Sequence, residues 1–177
     1  MKLEDVVEGR VYVDVNVFYM YLRSDPEHLD TLRSFFRRMV RGDITGYTAV
    51  LTMDELSYRL LLGRLRDASE GNPLDILRER GEDAVRTYAP EIETALRKLL
   101  RLPHLELAPV LPGDVPAMLR NVSAFGLLPR DALHVAVMAR LDPDQIATDD
   151  RDFDRVPGTE RHWLINEPES SFAGRQA

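Results

Sequence analysis

The sequence contains no cysteine among its 177 residues. Neither a disulfide framework nor a cysteine-ligated zinc site can form, and the absence agrees with an intracellular protein. No apolar run approaches the roughly 18 residues of a membrane span, and the acidic start MKLEDVVEGR differs from a secretory signal. We therefore expect a cytoplasmic protein that contacts no membrane.

Lysine is scarce as well, since Lys2 and Lys98 are the only lysines among 23 basic residues, and the formal net charge is −7. An acidic chain does not coat nucleic acid through bulk positive charge, although a local basic stripe is compatible with it. The length and the 44% hydrophobic content fit one globular domain with its own core. We predict a single domain over residues 1–165 and a mobile tail over 166–177.

Strand-like and helix-like segments alternate along the chain. Strands are predicted at 11–17, 44–50, 105–110 and 145–150, with a fifth in RHWLINE near the end. Helices are predicted at 24–41, with Ser24 or Asp25 as cap and Gly42 as stop, at 51–65 ending near Gly63, at 114–125 before Gly126, and at 129–141 after Pro129. Residues from about 66 to 103 are predicted to form an inserted helical hairpin. This order predicts an α/β fold with a central parallel sheet of four to five strands and helices on both faces.

Two polar residues, Asp14 and Asn16, interrupt the otherwise apolar strand VYVDVNV. Asp is depleted in strands and is costly to bury without a partner, which favours a functional role for Asp14. Ligands of such sheets bind beyond the carboxyl ends of the strands. Because Thr148 and Asp150 lie at the carboxyl end of the predicted strand 145–150, we expect them to converge with Asp14 at that edge.

Glu55 and Asp131 stand near predicted helix starts and could join this edge. Each acid also has a structural interpretation: Glu55 could form a capping box with Thr52, and Asp131 could stabilise the positive end of its helix. Asp150 could make an Asx-type turn in DDRDFD. Taken singly, these residues leave both interpretations open.

Taken together, the four acids predict a metal site. Carboxylates gathered within a few ångströms cannot all stay ionised without a compensating cation. Mg²⁺ and Mn²⁺ prefer such oxygen ligands and tolerate bound water. A pocket of this kind suits phosphodiester hydrolysis, because the ion polarises the phosphoryl oxygen and lowers the pKa of a bound water.

Histidine-based metal chemistry is not expected from the sequence. His134 lies one turn after Asp131 in an apolar segment, and we interpret it as a packing or hydrogen-bonding residue. The remaining histidines show no ligand spacing: His28, His104 and His162.

Four segments resemble the successive motifs of PIN-domain ribonucleases, especially the VapC-type toxins of toxin–antitoxin pairs. They are VYVDVNV with Asp14 and Asn16, TMDEL with Glu55, GLLPRDALHVAVMARL with Asp131, and IATDDRDFDRVPG with Thr148, Asp150 and Asp152. The resemblance implies a three-layer α/β/α sandwich, metal-dependent cleavage of RNA, an antitoxin partner and a homodimer. It also implies a Mg²⁺ or Mn²⁺ site built from Asp14, Glu55, Asp131 and Asp150, supported by Asn16, Thr148 and Asp152.

Alternatives to the toxin remain open at this point. One is a housekeeping RNA-processing nuclease of the same fold, and another is a catalytically silent PIN-like binding module. The fourth ligand is predicted as Asp150, with Asp152 as the alternative.

Arginines supply candidate contacts to RNA or to a protein partner. Arg33, Arg37 and Arg41 follow one another at i, i+4 and i+8, which suits either a solvated helix face or a phosphate-binding stripe. Arg130, beside Asp131, could hold the scissile phosphate. The groove predicted to receive an antitoxin is formed by the helices around Phe35, Phe36 and Tyr58.

Overall fold

A parallel sheet forms the centre of the computed structural model, which describes residues 1–143 and 145–164. In this part of the chain the sheet has five strands, in the order β3-β2-β1-β4-β5, and every neighbouring pair is parallel. The strands are β1 (Gly9–Val13), β2 (Ile44–Ala49), β3 (Leu105–Ala108), β4 (Gln145–Ala147) and β5 (Glu160–His162). The predicted parallel α/β architecture is thereby confirmed.

Helices cover both faces of this sheet. They are α1 (Val15–Leu22), α2 (Leu29–Arg41), α3 (Val50–Ala68), α4 (Pro73–Leu99), α5 (Asp114–Phe125) and α6 (Pro129–Leu141), with short 3₁₀ turns at Leu3–Asp5 and Arg151–Arg155. A hydrophobic core lies on each face of the sheet, and alternate residues of β1 point into one or the other. Val11 and Val13 pack with α1, α2 and α3, whereas Tyr12 packs with α6. The result is a three-layer α/β/α sandwich.

The first predicted strand and helix are divided differently in the structure. β1 ends at Val13, and the next residues form α1, which sequence patterning missed because VNVFYMYL is rich in β-branched and aromatic residues. Burial of Val15, Val17 and Phe18 in the core overrides that local preference.

The helix predicted from residue 24 begins only at Leu29, after His28 rather than Ser24 or Asp25. Its predicted end at Gly42 is confirmed, with φ of 85° in the left-handed region that glycine tolerates.

The predicted hairpin over 66–103 also takes another form. Its first arm is the whole of α3, which continues through Gly63 to Ala68. At Gly63 a Cβ atom would lie only 2.8 Å from the Tyr19 hydroxyl, so glycine permits close packing of α1 on α3. The second arm is α4, which kinks at Arg80 but continues through Pro90.

The last two helices agree with the sequence patterns, whereas the strands are shorter than predicted: β3 ends at Ala108 rather than 110, β4 ends at Ala147 rather than 150, and β5 includes only the first two residues of RHWLINE. α5 ends before Gly126 and α6 starts at Pro129, both as predicted. Within the described residues no single helix is long and apolar enough to cross a membrane, and α5 and α6 pass that test only as a pair bent by 117°. The tail predicted over 166–177 lies outside the described residues.

Candidate active site

Asp14 lies at the junction between β1 and α1 rather than inside a strand. Its side chain caps α1, because Oδ1 accepts a hydrogen bond of 2.7 Å from the Val15 amide. Oδ2 accepts a second bond of 2.7 Å from the Thr148 hydroxyl. With 7% of its surface exposed, the carboxylate is fixed at the carboxyl edge of the sheet.

Thr148 connects three polar groups directly after β4. Besides donating to Asp14, its buried hydroxyl accepts hydrogen bonds of 3.1 Å from Asn16 Nδ2 and of 3.1 Å from the Asp150 amide. The oxygen therefore ties the start of α1 to the loop that carries Asp150. Thr148 and Asn16 thus contact the acid edge, as the sequence motifs implied.

Asp150 and Asp152 follow Thr148 on a short 3₁₀ turn. Asp150 caps that turn, since its Oδ1 accepts a hydrogen bond of 2.9 Å from the Asp152 amide. The Asx-type turn considered for DDRDFD is therefore present. Asp152 pairs with Arg155. The choice of Asp150 over Asp152 as a ligand stays a prediction.

Glu55 reaches the same edge from the second turn of α3. The capping box with Thr52 is wrong, because Ala49 precedes α3 as its N-cap and Thr52 lies inside the helix. The Glu55 carboxylate is 8% exposed, with Oε1 2.8 Å from Arg130 Nε on α6. Its Oε2 lies 3.5 Å from Nε2 of His134.

Asp131 stands half-buried in the first turn of α6. Burial raises the pKa of its carboxyl group, and repulsion from Asp150 raises that pKa further. Asp14 behaves in the same way: burial raises its pKa, the His134 ring and the Thr148 hydrogen bond oppose the rise, and Glu55 adds to it. The mutual effects are those expected of carboxylates that share one small region.

His134 lies beneath these acids, and its contacts bear out the hydrogen-bonding interpretation. Nδ1 is 2.7 Å from the hydroxyl of Tyr12, a buried residue of β1. Sequence patterning did not single out Tyr12, although its position two residues before Asp14 on the strand was a usable signal. Ligand atoms of Asp14, Glu55 and His134 all lie within 4.8 Å of one another.

Comparison with known proteins identifies the family. The family model described as PIN domain matches residues 11–159, which is most of the chain. The chain belongs to the PIN domain family. No curated protein matches its sequence.

Solved structures share the fold of this PIN domain at low sequence identity. A chain of VapBC2 from Rickettsia felis, bound to a DNA fragment from its promoter, superposes with a TM-score of 0.58 at 12% identity, covering 89% of this chain and 100% of the other. A chain of FitAB bound to an IR36 DNA fragment gives a TM-score of 0.52 at 16% identity, covering 90% and 99%. At these identities the likeness concerns the fold.

The arginine stripe of this PIN domain is not brought to the acid edge. Arg41 ends α2 just before β2 begins, so it lies at the amino edge of the sheet. A strand of the length of β2 spans about 17–20 Å and separates this edge from the acids at the carboxyl edge. Arg33 lies 3.9 Å from Asp30, and Arg41 lies 2.9 Å from Asp43. Binding of RNA or of a partner by Arg33, Arg37 and Arg41 therefore stays a prediction, whereas Arg130 does reach the acids.

The groove predicted around Phe35, Phe36 and Tyr58 does not exist in that form. Phe35 and Phe36 belong to the core, with 0% and 2% of their surface exposed. Tyr58 is 48% exposed and instead lines a groove of about 640 Å³ between α3 and α4. Most of the side chains in this α3/α4 groove are apolar, among them Leu61, Val85, Ile92, Leu96 and Leu100.

Proposed function

We propose that this PIN domain is a metal-dependent endoribonuclease that hydrolyses RNA phosphodiester bonds at the edge formed by Asp14, Glu55, Asp131 and Asp150. PIN domains are typically nucleases. The proposal is supported by two observations on acids from separate segments of the chain. Ligand atoms of Asp14 and Glu55 lie within 4.8 Å of one another. Asp131 interacts electrostatically with Asp150 and with Asp14.

The chemistry of this donor set fits a divalent cation, Mg²⁺ or Mn²⁺. Burial raises the pKa values of Asp14 and Asp131, repulsion from neighbouring carboxylates adds to the rise, and a cation would relieve that repulsion. Oδ1 of Asn16 is also buried without a hydrogen-bond partner among the described residues. Asp14, Glu55, Asp131 and Asp150 would hold the ion, which when bound supplies Lewis acidity toward the phosphate and acidity to a water molecule.

The residues around the acids have separate tasks in this proposal. Thr148 and Asn16 hold Asp14 and the Asp150 loop in register, since one hydroxyl oxygen joins all three. Arg130 is 58% exposed, so its guanidinium can leave Glu55 and donate to a phosphate oxygen of RNA. Asp152 orients the loop through its pair with Arg155.

The biological role we propose is that of a toxin held by an antitoxin, in the cytoplasm and as a homodimer. Support comes from the shared fold with chains of VapBC2 and FitAB. The antitoxin would dock in the α3/α4 groove, where Tyr58 and Leu100 expose about half of their surface. A small upstream reading frame that encodes a DNA-binding protein would favour the toxin over a housekeeping nuclease.

Docking in the groove is separable from catalysis. Tyr58→Glu and Leu100→Glu place charges in the groove and should abolish capture of the co-expressed antitoxin, whereas Asp14→Asn should leave capture intact. Loss of capture in Asp14→Asn with retention in both groove variants would place the partner elsewhere.

Cleavage of RNA with and without Mg²⁺ or Mn²⁺ tests the enzymatic proposal. The wild type should cleave only with metal, and Asp14→Asn and Asp131→Asn should each lower the rate by at least about 100-fold, as expected for loss of a ligand that acts in the transition state. Asp54→Asn is the matched control, because Asp54 is the exposed neighbour of Glu55 on α3. Equal activity in all four proteins would remove the proposed site.

A further inference from the structure

His134 has one ring nitrogen in use and one without a partner. The residue is 2% exposed, and Nδ1 meets the Tyr12 hydroxyl at 2.7 Å. Nε2 is fully buried and makes no hydrogen bond to any described residue. It is aimed at the acids, 3.5 Å from Oε2 of Glu55. A buried polar atom in this situation needs an explanation.

The spacing of the surrounding atoms suits a shared ion. Ligand atoms of Asp14, Glu55 and His134 lie within 4.8 Å of one another. Two ligands that each sit about 2.2 Å from one ion are at most about 4.4 Å apart, so a shift of a few tenths of an ångström suffices. All three side chains are buried, whereas Asp131 and Asp150 are only half-buried.

The contact with Tyr12 orients the ring for such a role. Metal-binding histidines usually donate their second N–H to a fixed acceptor, which sets the tautomer. When Nδ1–H donates to the Tyr12 oxygen, the lone pair of Nε2 points toward Asp14 and Glu55.

We propose that Nε2 of His134 binds the divalent ion together with Asp14 and Glu55, giving a mixed nitrogen and oxygen site that favours Mn²⁺ over Mg²⁺. The inference rests on the proposed metal-dependent function and names the preferred metal. Imidazole is a common ligand of transition metals, whereas Mg²⁺ is bound by oxygen atoms. It also revises the expectation from sequence that His134 has no part in metal binding.

Pulsed electron paramagnetic resonance of Mn²⁺ bound to the metal-free full chain tests the assignment directly. The wild type should show coupling of Mn²⁺ to a histidine ¹⁴N nucleus. In His134→Asn the coupling should disappear, because asparagine keeps a polar atom near the position of Nδ1 but lacks Nε2. His162→Asn is the matched control, since His162 in β5 is also buried and its Nε2 has no hydrogen bond to a described residue.

Calorimetric titration gives a second readout that does not depend on RNA. His134→Asn should weaken Mn²⁺ binding by about 10- to 100-fold and Mg²⁺ binding by less than about threefold, while His162→Asn should change neither. The nitrogen coupling in the wild-type resonance spectrum tests the proposal even if His134→Asn fails to fold.

Each outcome separates this inference from the proposed function. Bound Mn²⁺ without nitrogen coupling in the wild type would overturn the role of His134 and leave the carboxylate site in place. Nitrogen coupling in a protein that cleaves no RNA would support His134 and overturn the nuclease. Absence of Mn²⁺ binding up to millimolar concentrations would overturn both.

Discussion

Replacing Thr148 with valine removes one oxygen atom and almost no volume, yet that oxygen joins three groups of the acid edge. It donates to Asp14 at 2.7 Å and accepts from Asn16 and from the Asp150 amide at 3.1 Å each. Thr148 is fully buried, so the variant cannot recruit bulk water at this position. We expect Thr148→Val to destabilise the metal-free protein and to loosen the metal site.

The magnitude follows from the three bonds. The bond to the Asp14 carboxylate is worth about 2 kcal/mol, because hydrogen bonds to charged groups contribute about 1.5–3 kcal/mol. Asn16 and Asp150 are half-buried, so water replaces part of what they lose, and each costs about 0.5 kcal/mol. The free energy of unfolding should therefore fall by about 3 kcal/mol, which lowers Tm by roughly 6–12 °C for a domain of this size.

Thr48→Val is the matched control for this prediction. Thr48 is equally buried, at 1% exposure, but its hydroxyl makes one hydrogen bond, of 2.9 Å to the Val13 carbonyl. Its loss should cost about 1 kcal/mol. Urea unfolding in EDTA, followed by circular dichroism, measures both variants. If Thr148→Val costs no more than Thr48→Val, Thr148 does not hold the acid edge together.

Three further predictions concern charge. Because burial raises the pKa of Asp14, its protonated form is favoured in the folded state, so its contribution to stability is lost as pH rises from about 4 through the folded pKa. In EDTA the free energy of unfolding of the wild type should therefore fall over this pH range by more than that of Asp14→Asn, and an equal or steeper fall in the variant would refute this sign. Arg130→Gln should raise KM for RNA by about tenfold, since one charge-assisted bond to phosphate is worth about 1.4 kcal/mol, and it should leave Mn²⁺ binding no weaker. An unchanged KM would contradict the proposal that Arg130 binds the phosphate. The combined change of Arg33, Arg37 and Arg41 to Gln should leave cleavage of a short oligonucleotide within about twofold, and a clear loss of rate would return the stripe to the active site.

Several features of the fold were predictable because they depend on local chemistry. Gly42 and Gly126 end helices in left-handed conformations that other residues avoid, and Pro129 begins a helix where its missing N–H is not needed. The alternation of such helices with apolar strands leaves a parallel sheet as the consistent arrangement. These signals act within a few residues, so a sequence displays them directly.

Predictions from local chemistry failed where tertiary packing determined the secondary structure. VNVFYMYL has the composition of a strand, but it forms α1 because Asp14 caps it and the core buries one of its faces. Pro90 lies inside α4, where proline usually interrupts a helix, yet the helix continues because its side chains pack on α3. Burial across the sheet or between helices outweighs a strand propensity of about 1 kcal/mol in the first case and a proline cost of about 3 kcal/mol in the second.

The candidate site shows the same division. The sequence by itself determined which acids are costly to bury and therefore need a partner, since that cost belongs to the residue type and its apolar neighbours. Only the tertiary structure decided that Glu55 meets both Arg130 and His134, and that Thr148 joins Asp14 to Asp150. The strand order that places β1 between β2 and β4 brings these distant segments together, and no local pattern records that order.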